Sequence, residues 1–143
     1  MVNKISEKGI MKKTARDIMT QPVITAKEDM TVIDAVRLLL RWHISGMPVV
    51  DDNGRLVGLI AEDDVMNFTL SGNAADTRVQ EVMTKEVDTL APDTSLEEIV
   101  NHYGKIHRVC MTSRVLIVED GRIVGIISPR EILREMNLIY SRF

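Results

Sequence analysis

Apolar residues recur every three or four positions in two stretches of the chain. Over residues 32–40 this spacing predicts an amphipathic helix, with Thr31 or Asp29 as the residue that caps its start. Residues 96–103 show the same spacing and follow a Ser-x-x-Glu capping box at 95–98. The pattern therefore predicts two helices that each bury one face.

Short apolar runs predict strands between these helices. Residues 47–50 and 56–60 flank an acidic Asn-Gly turn, which predicts a β-hairpin because Asn-Gly tolerates positive φ. Pro48 lacks a backbone donor, so its strand is expected to begin there or to lie at a sheet edge. Residues 62–70 predict a further helix with acidic residues in its first turn. In the second half of the chain, Pro129 takes the first position of the equivalent helix.

These elements occur twice in the same order. Residues 17–20, Asp-Ile-Met-Thr, match residues 81–84, Glu-Val-Met-Thr, at an offset of 64. Residues 54–60 match residues 121–127 at an offset of 67, so the second copy carries a short insertion near residues 104–108. Each copy is predicted to fold as strand, helix, strand, strand, helix. Two copies predict a pseudo-twofold body with two equivalent clefts, and clefts are where ligands bind.

The repeats predict the domain organisation. Residues 1–11 form an N-terminal tail, residues 12–70 the first repeat, residues 71–77 a polar linker and residues 78–143 the second repeat. A repeat of roughly 60 residues would bury only a marginal core on its own, so the two halves are expected to pack together. The expected fold class is mixed α/β (α+β).

Composition and charge narrow the classes of function. The chain has 143 residues, 45% of them hydrophobic and 27% charged, with a net charge of -3. No apolar run reaches the roughly 20 residues of a membrane span, and the first ten residues lack a signal-peptide core. We therefore expect a cytoplasmic protein with no membrane partner. The charge is spread evenly over both halves, which leaves no basic half for nucleic acid.

The residue types that carry chemistry do not form a catalytic or metal-binding pattern. His43 lies in the first repeat, while His102 and His107 are five residues apart and do not share a helix face. Asp63 and Asp64 are adjacent and point apart on a helix. A phosphate-binding loop, a dinucleotide turn and a nucleophile elbow are absent from the sequence. We therefore predict neither enzyme activity nor a bound metal.

The recurring motifs resemble the CBS domain (cystathionine β-synthase domain). The motifs are the Met-Thr start, the Ile-Ser-Gly-Met-Pro-Val-Val-Asp strand at 44–51, the Gly-Arg-Leu-Val-Gly-Leu-Ile strand at 54–60 and the acidic helix start. Their duplication resembles a stand-alone CBS pair, or Bateman module, over about nine tenths of the chain. The resemblance implies an adenosine-containing ligand, such as AMP, ADP, ATP or S-adenosylmethionine, in the clefts between the repeats. It also implies a flat homodimer.

The family's ribose-binding motif is Gly-h-h-Ser/Thr-x-x-Asp, where h is hydrophobic, and this chain departs from it in both copies. The first copy keeps Asp64 but has Ala61 in place of the hydroxyl residue. The second copy keeps Ser128 but ends on Glu131, which is one methylene longer than aspartate. Ser128 to Glu131 is also a complete capping box, and capping alone would explain those residues.

The resemblance implies further contacts from the opposite repeat. For the Ser128/Glu131 cleft these contacts are Met19, Ile24, Ile44 and Ser45, with Met47 and Pro48 following in the same segment, residues 44–48. For the Asp64 cleft they are Met83, Asp88, Met111 and Thr112. Ile24 and Ile44 are equally well interpreted as core residues. The family often binds phosphate with basic residues just before this strand, and here Arg114 is the only basic residue near those positions. The resemblance therefore favours AMP or S-adenosylmethionine over a triphosphate. His107 and Arg108, in the insertion, are interpreted as a solvated loop or as residues that reach over a cleft.

Two classes of function remain. The first is a sensor whose ligand shifts a conformational equilibrium and so signals to a separate, unidentified effector protein. The second is a ligand-free pair that serves as a dimerisation or interaction scaffold. Ala61 and Glu131 favour the scaffold, whereas Asp64 and Ser128 favour the sensor. Neither class requires a cofactor.

Overall fold

The computed structural model describes residues 12–72, 74–106 and 114–140. In chain order the elements in these ranges are α1 (Ala15–Ile18), β1 (Ala26–Lys27), α2 (Val32–Trp42), β2 (Gly46–Val50), β3 (Leu56–Ala61), α3 (Glu62–Leu70), α4 (Val79–Val82), β4 (Thr89–Leu90), α5 (Leu96–Ile106), β5 (Val115–Glu119), β6 (Arg122–Ile127) and α6 (Pro129–Tyr140).

The strands form two three-stranded sheets, ordered β1-β2-β3 and β4-β5-β6. In the first sheet β1 runs parallel to β2, and β2 runs antiparallel to β3. In the second sheet β4 runs parallel to β5. Each sheet with its two long helices follows the predicted order of strand, helix, strand, strand, helix. The predicted mixed α+β fold class is confirmed.

Local signals place the helix starts and the turns correctly. Of the two candidate caps for α2, Thr31 is the one used, and its hydroxyl accepts a hydrogen bond from the Asp34 N–H at 3.2 Å. Helix α3 begins at Glu62 and α6 begins at Pro129, as predicted. At the predicted hairpin turn Gly54 adopts a φ of 79°, a value that favours glycine.

The expectation that the Pro48 strand lies at an edge, or begins at the proline, is wrong. Strand β2 is the middle strand of its sheet, and Pro48 is its third residue. The missing donor is tolerated because β1 pairs only with Val49 and Val50, so it does not reach the level of Pro48. On the other side Pro48 faces Leu59, whose N–H and C=O both bond to Thr84. The proline therefore interrupts no hydrogen bond of the ladder.

The chain divides into two compact units. In the described ranges, the Asp64 unit comprises residues 23–72, 74–87 and 120–123, and the Glu131 unit comprises residues 12–22, 88–106, 114–119 and 124–140. The units do not follow the sequence repeats, because each contains the Met-Thr segment of the opposite repeat. Helix α1 of the first repeat belongs to the Glu131 unit, and helix α4 of the second repeat belongs to the Asp64 unit.

Burial and main-chain hydrogen bonds anchor these exchanged segments. Ala15 and Val79 are fully buried, each in the core of the unit that receives it. The Ala15 N–H donates to the Thr94 C=O at 2.8 Å, and the Val79 N–H donates to the Met30 C=O at 2.8 Å. The Glu131 unit packs around Ala15, Ile18, Met19, Leu96, Ile99, Val115, Ile117 and Ile127. The Asp64 unit packs around Ala26, Ala35, Leu39, Met47, Val49, Ile60 and Val79.

Among the described residues, no helix combines the length and the apolar character that a membrane span requires.

Candidate functional site

In the Asp64 unit, a carboxylate closes the junction between strand β3 and helix α3. Asp64 lies in the first turn of α3 and folds back, so that its Oδ2 accepts the Ala61 N–H at 2.8 Å. Its Oδ1 accepts the hydroxyl of Thr84, from the exchanged Met-Thr segment, at 2.8 Å. We call Asp64, Ala61 and Thr84 the Asp64 clasp. Asp64 is half-buried and Thr84 is exposed, so the clasp borders solvent.

The Glu131 unit has an equivalent clasp between strand β6 and helix α6. The Glu131 Oε1 accepts the Thr20 hydroxyl at 2.7 Å. Its Oε2 accepts the Ser128 N–H at 2.6 Å and also the Ser128 hydroxyl. We call Glu131, Ser128 and Thr20 the Glu131 clasp. Glu131 is only 6% exposed, so its charge is held by these three donors within the protein.

Main-chain pairing places both threonines at their carboxylates. The Thr84 N–H donates to the Leu59 C=O at 2.9 Å, and the Leu59 N–H donates to the Thr84 C=O at 2.8 Å. Thr20 makes the same reciprocal pair with Ile126, at 2.9 and 3.2 Å. Each Met-Thr segment therefore lies against the last strand of the unit that it joins, one turn before the acidic residue.

Glycine makes this close approach possible. A Cβ added at Gly58 would lie 2.8 Å from both the Thr84 C=O oxygen and the Met83 Sδ. A Cβ added at Gly125 would lie 2.8 Å from the Met19 Cβ. These separations are shorter than side chains tolerate, so the first residue of each Gly-h-h-x-x-x-acid motif is a packing requirement for the opposite Met-Thr segment.

The two carboxylates differ in their electrostatics. Burial raises the pKa of Asp64, and the hydrogen bonds from the Ala61 N–H and the Thr84 hydroxyl offset this only in part. Burial also acts to raise the pKa of Glu131, but the bonds from Ser128 and Thr20 outweigh it and hold that pKa below its ordinary value. The Glu131 clasp thus favours the charged carboxylate more strongly than the Asp64 clasp does.

These opposite shifts predict opposite pH effects on stability. Glu131 stabilises the fold above its ordinary pKa of 4.5, and this contribution is lost as the pH falls through the lower folded-state value. Asp64 behaves in reverse, because ionising it in the fold becomes costly as the pH rises above 3.8. As the pH rises from 3 to 7, the free energy of unfolding of the wild type should increase relative to that of Glu131→Gln. Over the same range it should decrease relative to that of Asp64→Asn. Changes of the same sign for both variants would contradict the assignment.

Tyr103, in helix α5, supports the Glu131 clasp. The Tyr103 hydroxyl donates to the Ile127 C=O at 2.7 Å, directly before Ser128. Burial and the nearby Glu131 carboxylate raise the pKa of Tyr103, so it remains a donor at neutral pH. This bond holds the end of β6 where the chain turns into α6.

The structure describes most of the other residues that the resemblance implied. Met19 is buried in the Glu131 unit, and Met83 packs against the core of the Asp64 unit. Asp88 and Arg114 lie in the Glu131 unit, while Ile24, Ile44, Ser45, Met47 and Pro48 lie in the Asp64 unit. Met111, Thr112, His107 and Arg108 lie outside the described residues. Met47 and Pro48 are fully buried, so their side chains contribute to packing.

Ile44 and Ser45 border a groove of about 450 Å³ in the Asp64 unit. The groove lies where α2 ends and α3 begins, and it is lined by Val36, Leu39, Leu40, His43, Ile44, Ser45, Glu62, Val65 and Met66. The Glu62 N–H at its rim donates to the Ser45 C=O at 3.0 Å. Ile44 therefore both packs against the core and faces an open groove.

Sequence reasoning missed Thr20 and Thr84. Both hydroxyls donate to the acidic residue of the motif in the opposite repeat, across 111 and 20 positions of sequence. The recurrence of threonine after methionine in both copies was the available signal. Among the residues that the structure describes, no group of three His, Cys, Asp or Glu side chains is close enough to hold a metal ion.

A family model described as the CBS domain matches residues 15–71 and again residues 79–138. Among curated proteins, L-aspartate semialdehyde sulfurtransferase of Methanocaldococcus jannaschii is 31% identical over 120 residues. That match covers 83% of this chain but 22% of the relative, so the chain spans about a fifth of that protein's length.

Two solved structures resemble the chain over most of its length. The CBS domain pair of protein MJ0100, in complex with 5′-methylthioadenosine and S-adenosyl-L-methionine, has a TM-score of 0.74 and 29% identity, covering 89% of this chain and 98% of that one. CBSX2 in complex with AMP has a TM-score of 0.76 and 26% identity, with the same two coverages.

Proposed function

We propose that this chain, which belongs to the CBS domain family, is a regulatory module that binds an adenosine-containing ligand and signals to a separate partner. The family predicted from the motifs is confirmed by the two matched domains. The proposed ligand class is supported by the AMP and the S-adenosyl-L-methionine of the two similar structures. For this chain we favour AMP or S-adenosylmethionine among AMP, ADP, ATP and S-adenosylmethionine.

The observation that carries the proposal is the position of Asp64. Its carboxylate lies at the strand-to-helix junction, where the family's motif has the acidic residue that binds the ribose, and it borders solvent. An ionised carboxylate can accept both protons of a sugar diol through charge-assisted hydrogen bonds. A regulatory role follows if the ligand binds one conformation of the chain more tightly than another, because only differential affinity shifts an equilibrium.

A thermal melting scan against AMP, ADP, ATP and S-adenosylmethionine tests the proposal. A ligand at a hundred times its dissociation constant adds about 2.7 kcal/mol to the free energy of unfolding, and this raises the melting temperature. We expect AMP or S-adenosylmethionine to give the larger shift, and Asp64→Asn to reduce it. If none of the four ligands shifts the melting temperature at millimolar concentration, the ligand-free scaffold is favoured instead.

We also propose that the module forms a homodimer through its long helices. Met66 and Leu133 take equivalent positions, the fifth residue of α3 and of α6, and they are 63% and 66% exposed. Ile33 in α2 and Val100 in α5 add exposed apolar surface at other positions, with 37% and 38% exposed. Repetition of an exposed apolar residue at the same helix position in both repeats fits a partner that has the same repetition. A second copy of this chain is such a partner.

Charge at one of these positions should dissociate the dimer. Met66→Glu places a carboxylate in the proposed apolar contact, so light scattering at tens of micromolar should show the mass of a single chain. Asn67→Glu is the matched control, because it adds the same charge at the adjacent exposed position. A wild-type chain that is monomeric at this concentration, or a Met66→Glu chain that stays dimeric, would refute the proposed interface.

A further inference from the structure

The two clasps differ in how much acceptor capacity they leave for a ligand. A carboxylate has about four lone-pair positions, two on each oxygen. In the Asp64 clasp each oxygen receives one donor from the described residues, the Ala61 N–H on Oδ2 and the Thr84 hydroxyl on Oδ1. One position therefore remains open on each oxygen, which is what the two protons of a vicinal diol require.

The Glu131 clasp leaves fewer acceptor positions open on its carboxylate. Its Oε2 receives two donors from Ser128, the N–H and the hydroxyl, while Oε1 receives the Thr20 hydroxyl. Only Oε1 retains an open position among the described contacts. A diol could bind both oxygens only if the Ser128 hydroxyl left the carboxylate. The carboxylate is also almost fully buried, which hinders access by a sugar.

The departure from the family's motif at residue 61 accounts for this difference in the number of donors. Ala61 has no hydroxyl, so it leaves the second position of the Asp64 Oδ2 unoccupied. The second copy keeps its hydroxyl, and the hydroxyl and the N–H of Ser128 both donate to one oxygen of Glu131. The substitution at residue 61 thus removes one sugar contact but keeps the carboxylate open.

We infer that the two units are not equivalent: the chain has one diol-binding carboxylate, Asp64, and Glu131 serves as a structural clasp that fastens the first Met-Thr segment. This inference rests on the proposed function, because it assigns the sugar of that ligand to one unit. The opposite pKa shifts of the two carboxylates agree with it, since the Glu131 charge is satisfied within the protein and that of Asp64 is less so.

Calorimetric titration of the full chain with AMP tests the assignment. We expect one site per chain, binding weakened about tenfold to a hundredfold in Asp64→Asn, and little change in Asp63→Asn, the matched control on the same helical turn. Glu131→Gln should bind AMP as the wild type does while melting at a lower temperature. If that variant does not fold, the stoichiometry of the wild type and the two aspartate variants still decide the question.

The diol itself is tested with 2′-deoxy-AMP, which lacks one of the two hydroxyls. The wild type should bind it about tenfold or more weakly than AMP, whereas Asp64→Asn should bind the two nucleotides alike. Two sites per chain, or binding that Glu131→Gln abolishes and Asp64→Asn leaves intact, would overturn the inference alone. No binding of AMP or S-adenosylmethionine by the unmodified chain at millimolar concentration would overturn the proposed function and this inference with it.

Discussion

Replacing Glu131 with alanine is expected to lower the free energy of unfolding by about 3 kcal/mol. The substitution removes the acceptor of three hydrogen bonds, two from Ser128 and one from Thr20, and a bond to a charged group contributes about 1.5 to 3 kcal/mol. Thr20 is exposed and can bond to water after the substitution, so the sum of three bonds overstates the loss. Chemical denaturation at neutral pH measures the effect.

Glu98→Ala is the matched control for this prediction. Glu98 takes the third position of α5, as Glu131 does in α6, but it is exposed. The cap of α5 uses the Glu98 N–H, which donates to the Ser95 hydroxyl at 3.2 Å, and the substitution keeps this N–H. We expect a change of about 0.5 kcal/mol or less in the control. A Glu131→Ala effect as small as that of Glu98→Ala would show that the clasp does not stabilise the unit.

Replacing Gly125 with alanine is expected to cost about 3 kcal/mol and to lower the melting temperature by roughly 10 °C. The new methyl group would lie 2.8 Å from the Met19 Cβ, which belongs to the rigid start of that side chain. The Met-Thr segment must then move away from β6, and the bond from Thr20 to Glu131 is strained or lost. Gly58→Ala should act in the same direction, since its methyl group would meet the Thr84 C=O oxygen.

Gly72→Ala separates this steric effect from the general cost of replacing a glycine. A Cβ at Gly72 meets no atom within 4 Å, although its φ of 67° strains any other residue. The control should therefore cost only about 1 kcal/mol, the price of the left-handed conformation. Equal losses in Gly125→Ala and Gly72→Ala would show that the close approach of Met19 does not matter for stability.

The elements that the sequence predicted well are those set by neighbouring residues. Helix α2 starts after Thr31 and α6 starts at Pro129, because caps and helix-start prolines act within one turn. The place of Pro48 in its sheet was predicted wrongly because it depends on how far a strand from elsewhere in the chain extends. Strand β1 has two residues and ends before it reaches the level of Pro48. The residues around Pro48 do not indicate how long β1 is.

The residues of the candidate site also differ in whether neighbouring sequence could predict them. Asp64, Ser128 and Glu131 could be singled out because the motif that contains them is contiguous. The repeated Met-Thr motif marks Thr20 and Thr84, but it does not reveal what their hydroxyls bind, since each reaches its carboxylate only after its segment has joined the opposite repeat. The repeat pattern predicts equal clefts, whereas the two carboxylates receive different numbers of donors from the described residues, two on Asp64 and three on Glu131.

The most direct test of the proposed single diol site is a crystal structure of the full chain grown with AMP. We predict one nucleotide per chain, with the 2′ and 3′ hydroxyls of the ribose donating to the two carboxylate oxygens of Asp64, and with Glu131 still bonded to Ser128 and Thr20. A ribose diol on Glu131, or a nucleotide whose sugar does not touch Asp64, would contradict it.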